Sequence, residues 1–258
     1  MSWFFVVLLS FIEGLTEFLP ISSTGHMILA GFLWNMPQTE FAKSFEIIVQ
    51  LGAILAVFVT FWKFLWERKD LWIKLIAALI PTLAIGFVLY PLEKKYLLTS
   101  PIYTLIGLII GAIAIWIVEL IYSKKQSFTS ISDLSIKDAV IIGISQAFAI
   151  FPGISRSAAT VLTGMMLGQK RDSALQFSFL LALPVMAAAT CLDVLKSGFQ
   201  FTSTELLQLG LGLVISFAVA YFCVQWLLSF VQRKSFVPFA WYRVAVVIGF
   251  TILLVFFR

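Results

Sequence analysis

Six runs of mostly apolar residues, at about 45–66, 71–90, 101–122, 175–195, 206–230 and 240–257, match the length a helix needs to cross a bilayer. Two further apolar regions are different in kind. The first, about 3–34, is interrupted by Pro20, Ser22, Ser23 and Gly25, and the second, about 137–168, by Pro152, Gly153 and Arg156. Neither leaves an unbroken run of spanning length, so each is expected to be a re-entrant hairpin of two half-helices joined by an irregular tip. Such a tip is tolerated at membrane depth only where protein or a watery cavity surrounds it. Short alternating segments of the barrel type are absent. The expected fold is an all-α polytopic membrane protein with six full transmembrane helices plus two re-entrant helical hairpins.

The two interrupted regions also resemble each other. Placing Glu13 over Gln146 sets EGLTEFLPISST against QAFAIFPGISRS, with Phe18 on Phe151, Ile21 on Ile154 and Ser22 on Ser155. FEIIVQLGA at 45–53 then falls on FSFLLALPV at 177–185 with nearly the same offset. Weak internal similarity with paired broken helices points to an inverted-topology repeat, with halves of about 1–122 and 123–258 in one membrane domain and the site at their interface.

Composition agrees, since 61% of the residues are hydrophobic against the roughly 45–50% of soluble domains. The net charge of +5 is spread over short loops rather than one soluble face, which argues against nucleic acid as a partner. Alternating the six spans puts Arg68, Lys69, Lys124, Lys125, Lys137, Lys170, Arg171, Arg233 and Lys234 on one side, and Lys43, Lys94, Lys95, Lys196 and Arg258 on the other. The richer side is expected to be cytoplasmic. Both termini then face outward, the hairpins enter from opposite sides, and their tips meet inside the membrane. The apolar N-terminal run has no basic residue before it and is followed by Glu13, unlike a cleaved signal peptide. Cys191 and Cys223 lie in separate apolar runs, without metal-ligand spacing.

The chemistry concentrates in EGLTEFLPISSTGH, Glu13 to His26, which holds two carboxylates, the Ser22–Ser23–Thr24 hydroxyl run and the one histidine of the chain. Each ionisable group in hydrocarbon costs about 3 kcal/mol or more, so such a cluster marks a functional site. Glu13 and Glu17, four apart, share a helix face. Two adjacent anions need a cation or a shared proton, and hard oxygen ligands suit a divalent ion, Mg2+ or Ca2+. Lining a proton or cation pathway is the alternative. His26 can be the base for a serine or a phosphoryl acceptor itself, and the sequence leaves both open beside a purely structural role.

The second hairpin supplies positive charge. In PGISRSAAT, Pro152 to Thr160, the Pro-Gly break frees backbone N–H groups at the start of a half-helix, and Ser155, Ser157 and Thr160 add hydroxyls. The Arg156 guanidinium matches phosphate geometry, with a buried pair to Glu13 or Glu17 as the structural alternative. Glu46, Gln50 and Gln146 are expected to support the metal site from behind or to line a water cavity. Glu119, near a span end, is expected to reach the interface.

EGLTEFLPISSTGH and PGISRSAAT resemble the two signature segments of the bacterial undecaprenyl-diphosphate phosphatase family, also called the bacitracin-resistance protein family. The resemblance covers nearly the whole chain, FEIIVQLGA included. It implies a metal-dependent hydrolase of the bacterial cytoplasmic (inner) membrane with an outward-facing site, acting on a phosphoric anhydride. Undecaprenyl diphosphate would go to the monophosphate and inorganic phosphate, recycling the lipid carrier of peptidoglycan synthesis. Another membrane family acting on lipid phosphates uses two histidines, and this chain has one. Attack is therefore expected from Ser23 with His26 as base, or from His26 directly. Glu13 and Glu17 would hold the metal, and Ser22, Thr24, Gly153, Ser155, Arg156, Ser157 and Thr160 the diphosphate. The rival class is a transporter or lipid-phosphate flippase, because broken helices meeting at mid-membrane also build transporters. Membrane lipids are expected neighbours, and a homodimer is the assembly left open.

Overall fold

A computed structural model describes residues 1–37, 39–92, 101–122, 129–197 and 201–256. Eleven α-helices are described: α1 (Trp3–Thr16), α2 (Ser23–Leu33), α3 (Glu40–Ile48), α4 (Gln50–Glu67), α5 (Lys69–Leu92), α6 (Pro101–Tyr122), α7 (Ile136–Ala147), α8 (Arg156–Met166), α9 (Arg171–Ser197), α10 (Ser203–Val231) and α11 (Val237–Phe256). Among the described residues no strand forms, and Thr129 and Gln169 make an isolated bridge.

Six segments are long and apolar enough to cross a bilayer: Glu40–Glu67, Lys69–Leu89, Pro101–Tyr122, Arg171–Leu192, Ser203–Val231 and Val237–Phe256. They are the six runs read from the sequence, with one correction. The span expected at 45–66 starts at Glu40 and is interrupted at Val49, so Gln50 opens a separate helix. Burial is arranged as lipid requires. Phe87, Phe222 and Val255 face outward, while Ser10, Glu13, Gln208, Ser216 and Arg243 are buried. The chain is an all-helical integral membrane protein.

The two short helix pairs are antiparallel hairpins that start from opposite ends of this bundle. In the first, Phe4 at the start of α1 packs on Trp34 at the end of α2, with ring centroids 6.3 Å apart. That end also holds Gln208, whose Nε2 donates to the Met1 carbonyl at 2.7 Å. The second hairpin, α7 and α8, is closed at its base where Lys170 N donates to the Thr129 carbonyl at 3.0 Å. Nearby, Arg68 reaches Ser132.

Each hairpin lies along a long helix of the other half. α1 packs on α10, where a Cβ at Gly14 would come within 2.6 Å of the Ser216 carbonyl oxygen. α7 packs on α5, where a Cβ at Gly143 would overlap the Ala78 carbonyl. Only glycine permits helices this close.

Glu119 does not reach the interface. It is buried, its Oε1 accepts from Arg171 Nε at 3.1 Å and from Phe236 N at 2.7 Å, and its Oε2 accepts from Arg171 Nη2 at 2.5 Å. A guanidinium and a backbone donor just before α11 satisfy this carboxylate inside the protein, so it has no need of water. Lys94, Lys95, Lys124, Lys125, Arg258 and the side chain of Lys196, which enter the charge count, lie outside the described residues.

Candidate active site

Two serines set the geometry of the site. Ser22 caps α2 with φ 71° and its Oγ accepts from Gly25 N at 3.3 Å, while Ser155 caps α8 with φ 76° and accepts from Ala158 N at 3.2 Å. Positive φ at a residue with a Cβ is uncommon, and here it recurs at the two positions that the sequence alignment pairs. Each cap turns the chain so that a new helix begins at the tip. Ser23 is the first residue of α2, and Arg156 is the first residue of α8.

The tips are tied together. Gly153 N donates to Ser22 Oγ at 3.2 Å, and Ser157 Oγ donates to the Phe18 carbonyl at 2.8 Å. This brings Ser23 and Arg156 to the same carboxylate. Ser23 Oγ donates to Glu17 Oε2, and Arg156 Nη2 donates to Glu17 Oε1 at 2.9 Å. Arg156 also donates from Nη1 to the Ser178 carbonyl at 3.1 Å and lies over the Phe18 ring at 5.7 Å. The buried Arg–Glu pair foreseen as an alternative therefore does form, and it forms in the wall of a cavity.

That cavity, about 110 Å³, is lined by Glu17, Ser22, Ser23, Thr24, Gln50, Ser155 and Arg156 together with Ala149, Ile150, Pro152 and Met186. One turn above Glu17, Glu13 is fully buried, and neither carboxylate oxygen has a hydrogen-bond partner. Its electrostatic neighbours are Glu17, Arg156 and Ser23. Two adjacent carboxylates, one of them without donors, make a set of hard oxygens suited to a divalent cation. Among the described residues no group of three or more His, Cys, Asp or Glu side chains gathers to hold a metal, so the remaining ligands would come from elsewhere.

Other expected residues fall outside the cavity wall. Thr160 Oγ1 bonds Arg156 O at 3.0 Å and Ser178 Oγ at 2.6 Å, fixing the start of α8. Ser157 and Gly153 spend their donors on the tip-to-tip bonds. Gln146 lies between α7 and α5 with its Nε2 on Thr82 Oγ1 at 3.3 Å, and Glu46 is not among the lining residues.

The largest departure from expectation is His26. Its Nδ1 is 2.7 Å from the Ser22 carbonyl, which can only accept, so Nδ1 carries the proton. In the neutral ring Nε2 is then the acceptor for the Tyr242 hydroxyl at 3.0 Å, and the two rings stack at 5.6 Å. His26 is turned toward α11 and lines a separate apolar groove with Ile12, Leu29 and Phe250. Glu17, not His26, holds the Ser23 hydroxyl.

Two residues of α11 that contact the first hairpin were missed in the sequence, Tyr242 and Arg243. Arg243 is fully buried and donates to the carbonyls of Pro20, Gly153 and Ile154. The available signal was an arginine inside the last apolar span with no carboxylate in that run.

Known proteins resemble this chain along nearly its whole length. The profile of the family described as bacitracin resistance protein BacA matches residues 6–249. The chain is 41% identical over 240 residues to the undecaprenyl-diphosphatase of Aquifex aeolicus (strain VF5), covering 93% of this chain and 94% of that one. To the undecaprenyl-diphosphatase of Wolinella succinogenes it is 43% identical over 245 residues, 95% of both chains. To that of Campylobacter hominis it is 44% identical over 255 residues, covering 97% and 98%. Matches over nearly the whole chain leave one conclusion: the chain belongs to the bacitracin resistance protein BacA family.

Proposed function

We propose that this protein is an undecaprenyl-diphosphate phosphatase, releasing inorganic phosphate from undecaprenyl diphosphate and leaving the monophosphate in the membrane. The observation that carries the reading is the convergence of Ser23 and Arg156 on Glu17 in a polar cavity inside a lipid-facing bundle. Relatives named undecaprenyl-diphosphatase, at 41–44% identity, supply the substrate class.

Ser23, Glu17 and Arg156 carry the transfer. The terminal phosphoryl group lies in the cavity against Arg156, whose bond to the Ser178 carbonyl fixes the plane of its fork. Ser23 Oγ attacks the terminal phosphorus as Glu17 Oε2 takes its proton, and the bond to the bridging oxygen breaks, expelling undecaprenyl phosphate. Water then opens the phosphoserine. Glu17 returns its proton to Ser23 Oγ, one water proton stays on the phosphate and the other leaves to solvent. Backbone N–H groups at the starts of α2 and α8 add positive potential for the trianionic headgroup. His26 acts through the Ser22 carbonyl, holding the start of α2. Glu13 and Glu17 would hold a divalent cation, Mg2+ or Ca2+, which would supply further neutralisation of the phosphoryl charge.

The hairpins are read as re-entrant and the halves as an inverted repeat. The matching serine caps and the exchanged pairings of α1 with α10 and α7 with α5 support this. The end carrying Lys170, Arg171, Arg233 and Lys234 is assigned to the cytoplasm, which puts both termini outside the bacterial inner membrane.

The test is phosphate release from undecaprenyl diphosphate by purified protein in detergent, with and without EDTA. Wild type should turn over without any gradient and stop with EDTA, and Ser23→Ala and Glu17→Gln should each lose roughly 1,000-fold or more in kcat. Turnover retained in Ser23→Ala would remove serine attack. A folded wild type releasing nothing would return the weight to a transporter.

A further inference from the structure

Arg243 of α11 is among the largest side chains that the fold buries completely. Its guanidinium spans both hairpins. Nε donates to the Pro20 carbonyl of the first tip at 2.7 Å, while Nη1 and Nη2 donate to the Gly153 and Ile154 carbonyls of the second tip, each at 2.9 Å. No carboxylate pairs with it among the described residues. A buried cation without an anion is costly at membrane depth, and an apolar residue would fill the same volume more cheaply. Filling space is therefore a poor account of it.

The rest of the molecule is shaped to receive this group. On α6 a Cβ at Gly111 would overlap Arg243 Nη1, and one turn earlier a Cβ at Gly107 would overlap the Pro152 carbonyl. These two glycines leave the notch in which the guanidinium and the second tip lie.

The three carbonyls are also particular ones. Pro20 stands two residues before Ser22, and Gly153 and Ile154 are the two residues before Ser155. Ser22 and Ser155 hold the unfavourable positive φ angles, and Gly153 has φ 90°. Strained backbone of this kind persists only where its surroundings over-determine it. By gripping the peptide planes just upstream of both caps, Arg243 fixes where α2 and α8 begin relative to each other.

We propose that Arg243, seated against Gly111, is a positioning residue that keeps the two tips in register so that Ser23 and Arg156 reach Glu17 together. It touches neither of those side chains nor the cavity, and it acts through three carbonyls. The inference rests on the reading of that cavity as the reaction site.

The experiment compares Arg243→Lys, Gly111→Ala and the double variant with wild type, in phosphate release from undecaprenyl diphosphate and in thermal unfolding, all in detergent. Lysine keeps the charge but cannot follow a planar fan of three carbonyls, and the alanine methyl displaces the guanidinium from its notch. Each single variant should elute and melt as folded protein, with kcat lower by about 100-fold, the scale of a misplacement near 1 Å, and KM within about threefold. The double variant should be no worse than the poorer single, since both changes undo one device. Arg243→Lys with wild-type kcat, a change confined to KM, fully additive losses, or failure of both single variants to fold would each overturn the proposal. Wild type that releases no phosphate would instead sink the phosphatase reading itself, so the two failures are distinguishable.

Discussion

Glu17 is shared by a hydroxyl and a guanidinium, which in the proposed reaction do opposite things to a phosphate, the one attacking and the other holding. With Arg156 on Oε1 and Ser23 on Oε2, the carboxylate is oriented before substrate arrives, which is the sense in which a site is preorganised. His26 stands one step removed, between the Ser22 carbonyl and Tyr242. Tyr242→Phe deletes a single hydrogen bond, worth about 0.5–1.5 kcal/mol, so kcat should fall by no more than about tenfold with its pH profile unchanged. Loss of activity on the scale of Ser23→Ala would instead make His26 a proton carrier. Glu17, Ser23 and Arg156 were legible in the sequence because polar groups set in apolar runs need a reason to be there. The direction of His26 was not, because it depends on the positive φ at Ser22, which no spacing rule reveals. Arg243 was passed over for a related reason: its partners are carbonyls, which every residue has, and the Pro20 carbonyl lies 223 positions away along the chain.

Among the elements, the breaks between α1 and α2 and between α7 and α8 were foretold by their proline and glycine interruptions, and the six spans by their length. The break at Val49 was not, since FEIIVQLGA carries no residue that forbids a continuous helix. Gly52, just beyond the break, lies so close to α10 that a Cβ would overlap the Leu213 carbonyl. Tertiary contact rather than local propensity accompanies the interruption. The same distinction separates the glycines of the helices. Gly143→Ala would drive a methyl into the Ala78 carbonyl and should destabilise by about 1–3 kcal/mol, seen as a lower unfolding temperature in detergent. Gly86→Ala and Gly210→Ala, with nothing within 4 Å of the added Cβ, should be neutral or raise it, the preference for alanine in helices being up to about 1 kcal/mol. If Gly143→Ala also proved neutral, the tight crossing of α7 on α5 would be wrong.

Across the whole molecule, three arginines tie polar groups of different helices together, Arg156 at the cavity and Arg243 and Arg171 away from it. Arg243 binds the tips at the centre. Arg171 binds Glu119 at one end of the bundle and lies 4.3 Å over the Tyr122 ring, joining α6, α9 and the approach to α11. The sequence paired Ser22 with Ser155, and both cap a helix with positive φ. It did not disclose that each hairpin would be housed by a helix of the opposite half, because pairing between distant segments leaves no local periodicity to read.

That exchange of partners has a consequence for biosynthesis. A ribosome delivers α1 first, yet the surface α1 rests on, α10, begins only at Ser203. Through most of translation Ser10 lacks the α10 surface at Gly212 that later packs on it, and it is expected to stay open to water until then. Ribosome-stalled chains that stop before Ser203 should leave a Ser10→Cys thiol open to a water-borne maleimide, and the finished protein should protect it. Equal protection in both would mean that the first half closes around its own hairpin before the second half exists.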